Sequence, residues 1–414
     1  MITAIAGPAL GTIRARVPNP AILWLAASSG IGSLGLAAGG VAGSLLAEDM
    51  TGLDATTGLP LAMLTAGAVV GAIIVSRLSA RVGRRAGLVL GYLIGICGAA
   101  LVVGSATAGT FPGVLVGSLV LGAANPAIFL SRYAAAAVED GGSRGRAMGT
   151  VLLGSTVGAV VGPNALAPTG VLAAALGLSP AVGLYLLAIP AFGLAAAAIA
   201  AAGTTRAGRS LARPARIPAA DGSDPATLRD LLAVPRLRSA LGVLAAANLI
   251  MVGIMAVIPV HMAAHGQDLQ VVGLVVSIHL LAMFAPSPVT GALADRYGGA
   301  RVAAIGGGLL VSAGVAVWLA SSAGIETMTG ALILLGVGWN CGIVGGSADI
   351  ASSVRAEVRP QAEGVGEMAL GIAAAAGGSL AGAGMAAGGM APVALGGTVA
   401  GVVMLLGLSL PRRR

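Results

Sequence analysis

Apolar residues along this chain fall into twelve long stretches that short polar segments separate. Each stretch is about 20 residues long, the length at which an α-helix crosses the hydrocarbon core of a bilayer. The pattern therefore predicts an all-α integral membrane protein with twelve transmembrane helices. The predicted spans, numbered 1 to 12 in chain order, cover residues 22–46, 58–76, 86–106, 112–134, 147–168, 180–203, 239–262, 271–290, 302–321, 327–350, 364–387 and 391–410.

Charged residues between the spans predict the orientation of the chain. All 23 basic residues are arginines, and each falls in an even-numbered loop, in a tail or at a helix end beside one of these. Basic residues in short loops mark the cytoplasmic side. We therefore expect a multi-pass protein of the cell (plasma) membrane with both termini in the cytoplasm. The odd-numbered loops carry only the acids Glu48, Asp49, Asp54, Asp268 and Glu326.

The longest hydrophilic stretch divides the spans into two sets of six. We expect an N-terminal six-helix bundle over residues 1–203, a cytoplasmic central loop over 204–238 and a C-terminal six-helix bundle over 239–414. Within the loop, residues 224–237 are predicted to form a short amphipathic helix on the membrane surface.

The two sets of spans are repeats. A shift of 215 positions without gaps places features of the first set on those of the second. Six spans bring both ends of a set to the same side, so the halves are predicted to be parallel repeats about an axis along the membrane normal. The coinciding features are Pro20 with Pro235, residues 78–83 with 293–298, Asn125 with Asn340, and Gly162 with Gly377.

Composition excludes several classes of protein. Charged residues make up 9% of the chain, against about 25% in soluble globular domains. The net charge of +8 follows from the inside-positive bias and from contact with anionic lipid, so membrane lipid and not nucleic acid is the expected partner. Cys97 and Cys341 lie in apolar spans as small core residues. There is no lysine and no G-x-x-x-x-G-K loop, and we expect no cofactor, no metal and no enzymatic activity.

One loop carries a specific motif. Residues 291–301 read Gly-Ala-Leu-Ala-Asp-Arg-Tyr-Gly-Gly-Ala-Arg. This segment resembles the G-x-L-x-D-R-x-G-x-x-R signature loop of the major facilitator superfamily. The first-half copy, residues 76–85, keeps Leu78, Arg81, Gly83 and Arg85 but has Ala80 where the acid belongs. The resemblance implies a conformational latch with Gly291, Asp295, Arg296 and Gly298 in one loop and Arg81 and Gly83 in the other.

The acid of this loop has an expected partner. A carboxylate is stabilised near the positive N-terminal end of a helix. We expect Asp295 to dock near the start of span 5, around residues 147–151, and to latch one conformation. The alternative is a plain solvated turn.

Span 5 contains the segment Gly158-Ala-Val-Val-Gly162-Pro163. It resembles the G-x-x-x-G-P motif in the fifth span of exporting members of the superfamily. Proline removes a backbone hydrogen bond, so a bend is predicted here, and the glycines let a partner helix pack closely. The resemblance implies export, and a structural kink without directional meaning is the alternative.

Few polar residues lie deep in a span, where they are costly and therefore indicate function. The equivalent pair Asn125 and Asn340, together with Asn164, Asn248 and Trp339, is predicted to line a substrate cavity. For each asparagine the alternative is a hydrogen bond that holds helices together. A buried packing role is the alternative for Trp339.

His279 is the histidine that lies well inside a span. The ordinary pKa of histidine is near neutral, so His279 is our first candidate for a proton carrier, with Glu367 as the second. A neutral structural histidine is the alternative. Arg132, Asp349 and Glu367 lie near the cytoplasmic ends of their spans, where we expect ion pairs or side chains that reach the interface.

The resemblance covers about residues 20–410 and implies two six-helix bundles around a cavity that opens alternately to each side. We expect a monomeric secondary transporter that exports a small, fairly apolar molecule or drug in exchange for protons. A metabolite uptake symporter or a facilitator is the alternative within transport. A non-transporting membrane sensor or scaffold is the alternative of another class.

Overall fold

The computed structural model of the protein describes residues 19–39, 41–53, 56–139, 142–214, 227–264, 266–320 and 324–409. All regular secondary structure in these ranges is helical. Eleven helices have the length and hydropathy to cross a membrane, and a bent pair of helices in span 5 makes the twelfth. The prediction of an all-α fold with twelve spans is therefore confirmed for this part of the chain.

Several spans consist of more than one helix. In the first half, span 1 comprises Pro20–Leu36, Ala37–Gly39 and Val41–Thr51, span 2 is Leu59–Val82 and span 3 is Arg84–Thr107. Span 4 comprises Phe111–Gly122 and Ala124–Val138, span 5 comprises Arg144–Asn164 and Leu166–Ala175, and span 6 comprises Pro180–Val182 and Gly183–Thr204. In the second half, span 7 is Pro235–Ala264, span 8 comprises Leu269–Phe284 and Ser287–Tyr297, and span 9 is Gly299–Ala320. Span 10 is Ile325–Ser353, span 11 is Arg359–Gly388 and span 12 is Met390–Ser409. Between the two sets lie the short helices Gly208–Ala212 and Leu228–Ala233.

Most spans begin earlier than the hydropathy pattern predicts, as spans 5, 7 and 11 illustrate. Span 5 starts at Arg144, span 7 at Pro235 and span 11 at Arg359. Charged residues end an apolar stretch but not a helix, because long arginine side chains reach the membrane surface from the first turn. Proline favours the first position of a helix, which explains the start of span 7.

The amphipathic helix expected over residues 224–237 is shorter in the structure. Only Leu228–Ala233 is helical there, and residues 224–226 lie outside the described ranges. Thr227 begins this helix with a capping box, in which its hydroxyl accepts from the Asp230 N–H and the Asp230 carboxylate accepts from the Thr227 N–H. Pro235 then starts span 7 as a separate helix.

The repeat predicted from the sequence is visible in the packing. Span 5 packs against span 1, and span 11 packs against span 7. Gly158 abuts the backbone of span 1 at Gly30, and Gly377 abuts the backbone of span 7 at Leu249. Between the halves, span 5 packs on span 8 and span 11 packs on span 2. The two halves thus use equivalent helices both for their internal seams and for their contact with each other.

We call the end of the bundle that holds the junctions of spans 2–3, 4–5, 8–9 and 10–11 the arginine-rich end. Ten described arginines lie there: Arg77, Arg81, Arg84, Arg85, Arg144, Arg146, Arg296, Arg301, Arg355 and Arg359. Hydrogen bonds and ion pairs join the two halves at this end. The arginine-rich end of the bundle is therefore closed.

Candidate functional site

The first contact between the halves is a carboxylate at a helix N-terminus. Asp295 lies in the last turn of Ser287–Tyr297, and its two carboxylate oxygens accept hydrogen bonds from the backbone N–H groups of Gly145 (2.6 Å) and Arg146 (2.9 Å). These N–H groups belong to the first turn of span 5, where a helix leaves its donors unpaired and its dipole is positive. The contact lies before the expected segment 147–151, because the helix already starts at Arg144.

Glycines shape both signature loops. Gly83 and Gly298 have φ values of +113° and +87°, a left-handed conformation that side chains disfavour, and each ends its helix. Gly291 packs directly on the backbone of Gly145, so spans 5 and 8 touch without intervening side chains. The Arg296 guanidinium lies 5.2 Å from the centre of the Tyr297 ring. Arg81 is exposed in the last turn of span 2.

The second contact is a buried charge cluster. Arg132 of span 4 is completely buried, and its Nη2 lies 2.7 Å from the Glu367 carboxylate of span 11. Its Nε donates to the Ser347 hydroxyl of span 10 (3.0 Å), and its Nη1 donates to the Phe129 carbonyl (2.7 Å). The Tyr133 hydroxyl also donates to Ser347 (3.2 Å). One arginine of the first half therefore bonds two helices of the second half.

The position of this cluster follows from the repeat. Arg132 and Ser347 are 215 residues apart and hence occupy equivalent places in the two halves. Equivalent residues that touch each other lie at the axis that relates the halves. Glu367 is about two turns inside the span 11 helix, which begins at Arg359, and not near its end. Buried charges need well-placed partners, so removal of either charge would leave the other uncompensated in the closed state at a large electrostatic cost.

A third contact lies one helical turn away from Glu367. Glu363 of span 11 is buried, and its carboxylate forms two contacts with the Arg84 guanidinium of span 3, one of them 2.8 Å long. Asp349, by contrast, packs at the start of span 9 beside Gly299. The ion pairs expected near this end therefore involve Arg132 with Glu367, whereas Asp349 lies within the second half.

His279 occupies a different environment. Its ring is completely buried, and Nδ1 lies 2.8 Å from the carbonyl oxygen of Leu332. Its Nε2 is buried and has no hydrogen-bond partner among the described residues. His279 and Leu332 belong to spans 8 and 10, so this bond lies within the second half. The geometry is that of a histidine held between two helices, and its role in proton transfer stays a prediction.

Two of the predicted cavity residues bond to each other. The Trp339 Nε1 donates to the Asn248 Oδ1 (3.0 Å), and the Asn248 Nδ2 donates to the Leu370 carbonyl (2.8 Å). Trp339 also meets the Phe284 ring edge-on at 5.5 Å. This network joins spans 7, 8, 10 and 11 within the second half and buries all the side chains involved.

The remaining asparagines are dispersed. Asn340 is completely buried, and its Nδ2 donates to the Met283 carbonyl (2.7 Å) and the Ser287 hydroxyl (2.6 Å) of span 8. Asn125, its equivalent, is half-buried, and its Oδ1 has no partner in the described part of the chain. Asn164 is exposed and donates to the Val160 carbonyl (2.7 Å) one turn earlier. The structure thus does not gather the five predicted residues into one cluster, and Asn340 bonds to a neighbouring helix instead of facing open space.

Span 5 changes direction where the proline motif lies. Its two parts on either side of the motif, Arg144–Gly162 and Leu166–Ala175, meet at an angle of 58°. Pro163 stands at this break and lacks the N–H that would continue the helical hydrogen bonds. Gly158 and Gly162 pack against the backbone and side chains of span 1, including Ala37. The motif therefore combines a bend with a close helix contact.

The contacts at the arginine-rich end include residues that the sequence did not single out as site residues. These are Arg84, Arg132, Tyr133, Ser347 and Glu363. One feature of the sequence could have indicated this cluster: Glu363 and Glu367 are four residues apart and therefore share a helix face. The described residues contain no group of three or more His, Cys, Asp or Glu side chains that could hold a metal ion.

The fold and its two-half construction define a polytopic membrane transporter. The family model of the Major Facilitator Superfamily matches residues 239–414. A protein of Bacillus subtilis (strain 168), the uncharacterized MFS-type transporter YddS, is 34% identical over 370 residues, which cover 85% of this chain and 81% of the relative. The chain belongs to the Major Facilitator Superfamily. It is a multi-pass membrane transporter and not an enzyme.

Other similar proteins support the same assignment. The riboflavin transporter RfnT of Brucella anthropi is 27% identical over 360 residues, with 84% of each chain covered. Among solved structures, the human organic anion transporter MFSD10 (TETRAN) matches 95% of this chain and all of its own, with a TM-score of 0.71 at 17% identity. A bacterial homologue of the iron transporter ferroportin matches 94% of this chain and 98% of its own, with a TM-score of 0.73 at 12% identity. These structures share the fold.

Proposed function

We propose that this transporter is a monomeric, proton-coupled exporter of a small, fairly apolar molecule or drug that works by alternating access. Residues 1–203 and 239–414 are the two moving bundles, and residues 204–238 connect them. The observation that carries the proposal is the buried ion pair between Arg132 and Glu367, which joins the bundles at their common axis. A titratable group at this place connects protonation to the separation of the halves.

The orientation of the molecule decides which side of the membrane this contact closes. Arginine-rich loops face the cytoplasm, so we place the arginine-rich end, both termini and the central loop inside the plasma membrane. In that orientation the described contacts close the cytoplasmic side. Opening this side must break the bonds of Asp295, Arg84 and Arg132 to the opposite half.

Glu367 is a better placed proton carrier than His279. A coupling group has to be exposed to one side and then to the other as the halves move. Glu367 lies at the contact between the halves, whereas the hydrogen bond of His279 runs to Leu332 within one half. We therefore assign the coupling proton to Glu367 and keep His279 as the second candidate.

The effect of Glu367 protonation on the contact between the halves favours export. Protonation neutralises the Glu367 carboxylate and removes its attraction for Arg132, which weakens closure of the cytoplasmic side. A proton that arrives from outside thus promotes opening to the inside, where cargo binds and the proton leaves. The deprotonated carboxylate pairs with Arg132 again as the halves close, and the cargo is carried outward. The export-type segment 158–163 in span 5 supports the same direction.

The test uses purified protein in proteoliposomes with a lipophilic fluorescent dye as cargo and an imposed pH gradient. Wild type is expected to accumulate the dye against its gradient, and Glu367→Gln is expected to lose this accumulation while retaining exchange without a gradient. His279→Gln should keep pH-driven accumulation. Glu357→Gln, in the polar segment before span 11, is the matched control and should behave as wild type. Uphill transport by Glu367→Gln together with its loss in His279→Gln would move the proton site to His279.

A second cargo follows from one relative. The riboflavin transporter RfnT resembles this chain over 84% of its length, so riboflavin, or a related planar heterocycle, is the alternative substrate. Uptake of radiolabelled riboflavin that rises with an inward proton gradient would favour a symporter. Equilibration that ignores the gradient would favour a facilitator. A protein that moves neither dye nor riboflavin in these assays would favour the sensor or scaffold class.

A further inference from the structure

The two interfaces between the halves have the same backbone design. A side chain on Gly149 of span 5 would meet the carbonyl of Ser287 in span 8. A side chain on Gly364 of span 11 would meet the Ser76 side chain and, 3.3 Å away, the carbonyl of Ala72 in span 2. The shift of 215 positions converts the first pair into the second. Any chemical difference between the interfaces therefore arises from side chains and not from a different helix arrangement.

The carboxylate contact exists in one interface only. In the first, Asp295 accepts from the Gly145 N–H. In the second, Ala80 occupies the place of Asp295, and Pro360 occupies the place of Gly145. Proline has no backbone N–H. Both the acceptor and one of its donors are thus missing at the same interface.

An ion pair occupies the second interface instead. Arg84, at the start of span 3, contacts Glu363 in the second turn of span 11 with both guanidinium Nη atoms. Their equivalents in the first interface are Gly299 and Met148, which carry no charge. The Asp295 cap and the Arg84–Glu363 pair are therefore each present in one interface and absent from the equivalent place in the other.

We propose that the Arg84–Glu363 ion pair is the latch of the first-half signature loop and takes the place of the carboxylate cap that this loop lacks. The pair is shielded from solvent, since the side chains are 14% and 2% exposed, so loss of either partner alone is costly. It borders a small cavity of about 10 Å³ that Ser76 and Ser79 also line.

This latch differs from the Asp295 cap in a testable way. The cap depends on backbone donors, so a change of side chain at Gly145 or Arg146 leaves those donors in place. The ion pair depends on two side chains, so it is lost from either side and is restored when the two charges are exchanged.

Distances between spin labels report closure of this end without any cargo or pH gradient. Labels are attached to cysteines at Val82 and Ala356, which are exposed, lie at the arginine-rich end and belong to opposite halves. The background replaces Cys97 and Cys341 with alanine. Pulsed dipolar spectroscopy then measures the distance distribution of wild type and variants. Because no transport is measured, the outcome is independent of the export proposal.

We expect a predominantly short distance in wild type. Arg84→Gln and Glu363→Gln should each lower the ratio of closed to open molecules by at least about tenfold, because each removes the charge attraction that joins the halves at this interface. Arg359 also lies near Glu363, but it belongs to the same helix and cannot replace Arg84 across the interface. The exchange Arg84→Glu with Glu363→Arg should restore most of the short-distance population. Arg85→Gln is the matched control, because Arg85 lies beside Gly203 within the first half.

Glu363→Gln is isosteric, Arg84→Gln keeps a shorter polar side chain, and the monodispersity of both variants in detergent verifies folding before the measurement. A wild-type distance distribution in either Arg84→Gln or Glu363→Gln would overturn the proposal. An opening by Arg85→Gln as large as that by Arg84→Gln would also overturn it, because the effect would then follow from arginine content and not from the pair.

Discussion

Among single residues, Asp295 and Arg132 illustrate two ways in which a charge closes this transporter. Asp295 is exposed and binds backbone donors at a helix start, where solvent weakens the interaction. Arg132 is completely buried and relies on Glu367, Ser347 and a carbonyl of its own helix. An exposed cap is worth about 1 kcal/mol, whereas breaking a buried pair costs several. Loss of Arg132 should therefore disturb the closed state more than loss of Asp295.

Replacement of Asp295 by asparagine is expected to lower transport several-fold, with little change in folding or membrane level. The amide has one acceptor oxygen and no charge, so it loses part of a contact worth about 1 kcal/mol. Dye accumulation in proteoliposomes measures the effect. Ala80→Asp is the contrasting variant, and it should add little closure, because Pro360 lacks one of the two N–H donors that Asp295 uses in the other interface. Full transport in Asp295→Asn would remove the cap from the mechanism.

Among helices, span 5 has two tasks that its sequence combines. Its first turn receives Asp295 from span 8, and its glycines pack on span 1. Gly158 lies where a Cβ would come within 3 Å of backbone atoms of Gly30 and Leu34. The break after Gly162 then turns the remainder of the span by 58°. Close packing and a bend in one helix explain why small residues and a proline occur together here.

Gly158→Ala is expected to destabilise the protein by about 1–3 kcal/mol, because the added methyl forces spans 1 and 5 apart. Gly193→Ala in span 6 is the matched control. No atom lies within 4 Å of a Cβ built at Gly193, and alanine favours a helix over glycine. Thermal unfolding followed by size-exclusion fluorescence should show a lower Tm for the first variant and an unchanged or higher Tm for the second. An unchanged Tm in Gly158→Ala would show that spans 1 and 5 are not closely packed at this position.

At the scale of the whole molecule, the halves meet mainly through spans 2, 4, 5, 8, 10 and 11, and Arg84 of span 3 adds an ion pair to span 11. At the arginine-rich end, hydrogen bonds and ion pairs join the halves in addition to close contacts of glycine with backbone. The seams between spans 1 and 5 and between spans 7 and 11, inside the halves, are close contacts of glycine with backbone. The charged contacts therefore distinguish the interface between the halves from these seams.

The orientation prediction is tested by cysteine labelling in a background free of Cys97 and Cys341. Cysteines at positions 52, 109 and 324 should react with an impermeant maleimide added outside intact cells, because they lie in odd-numbered loops. Cysteines at 143, 220 and 358 should react only after permeabilisation; position 220 lies outside the described residues. A permeant maleimide is the control for reactivity. Labelling of the second set and protection of the first would reverse the orientation.

The sequence located a contact where a motif defines it and left the partner open where only packing does. Asp295 was expected at the start of span 5, and it lies there, a few residues earlier than expected. The asparagines were expected to share a cavity, yet Asn340 bonds to span 8 and Asn248 bonds to Trp339. A polar residue inside a span indicates that it needs a partner, but not which helix supplies it.

What the sequence by itself determined is local or periodic: the number of spans, their division into two repeats, and the end of the bundle that carries the arginines. Hydropathy and charge act along one helix at a time, so they can be read without knowing its neighbours. Only the tertiary structure decided that Arg132 meets Ser347 and that Arg84 meets Glu363, partners that are 215 and 279 residues apart. Such pairs depend on which helix faces come together, and in a chain of small residues many faces fit equally well until the whole bundle is packed.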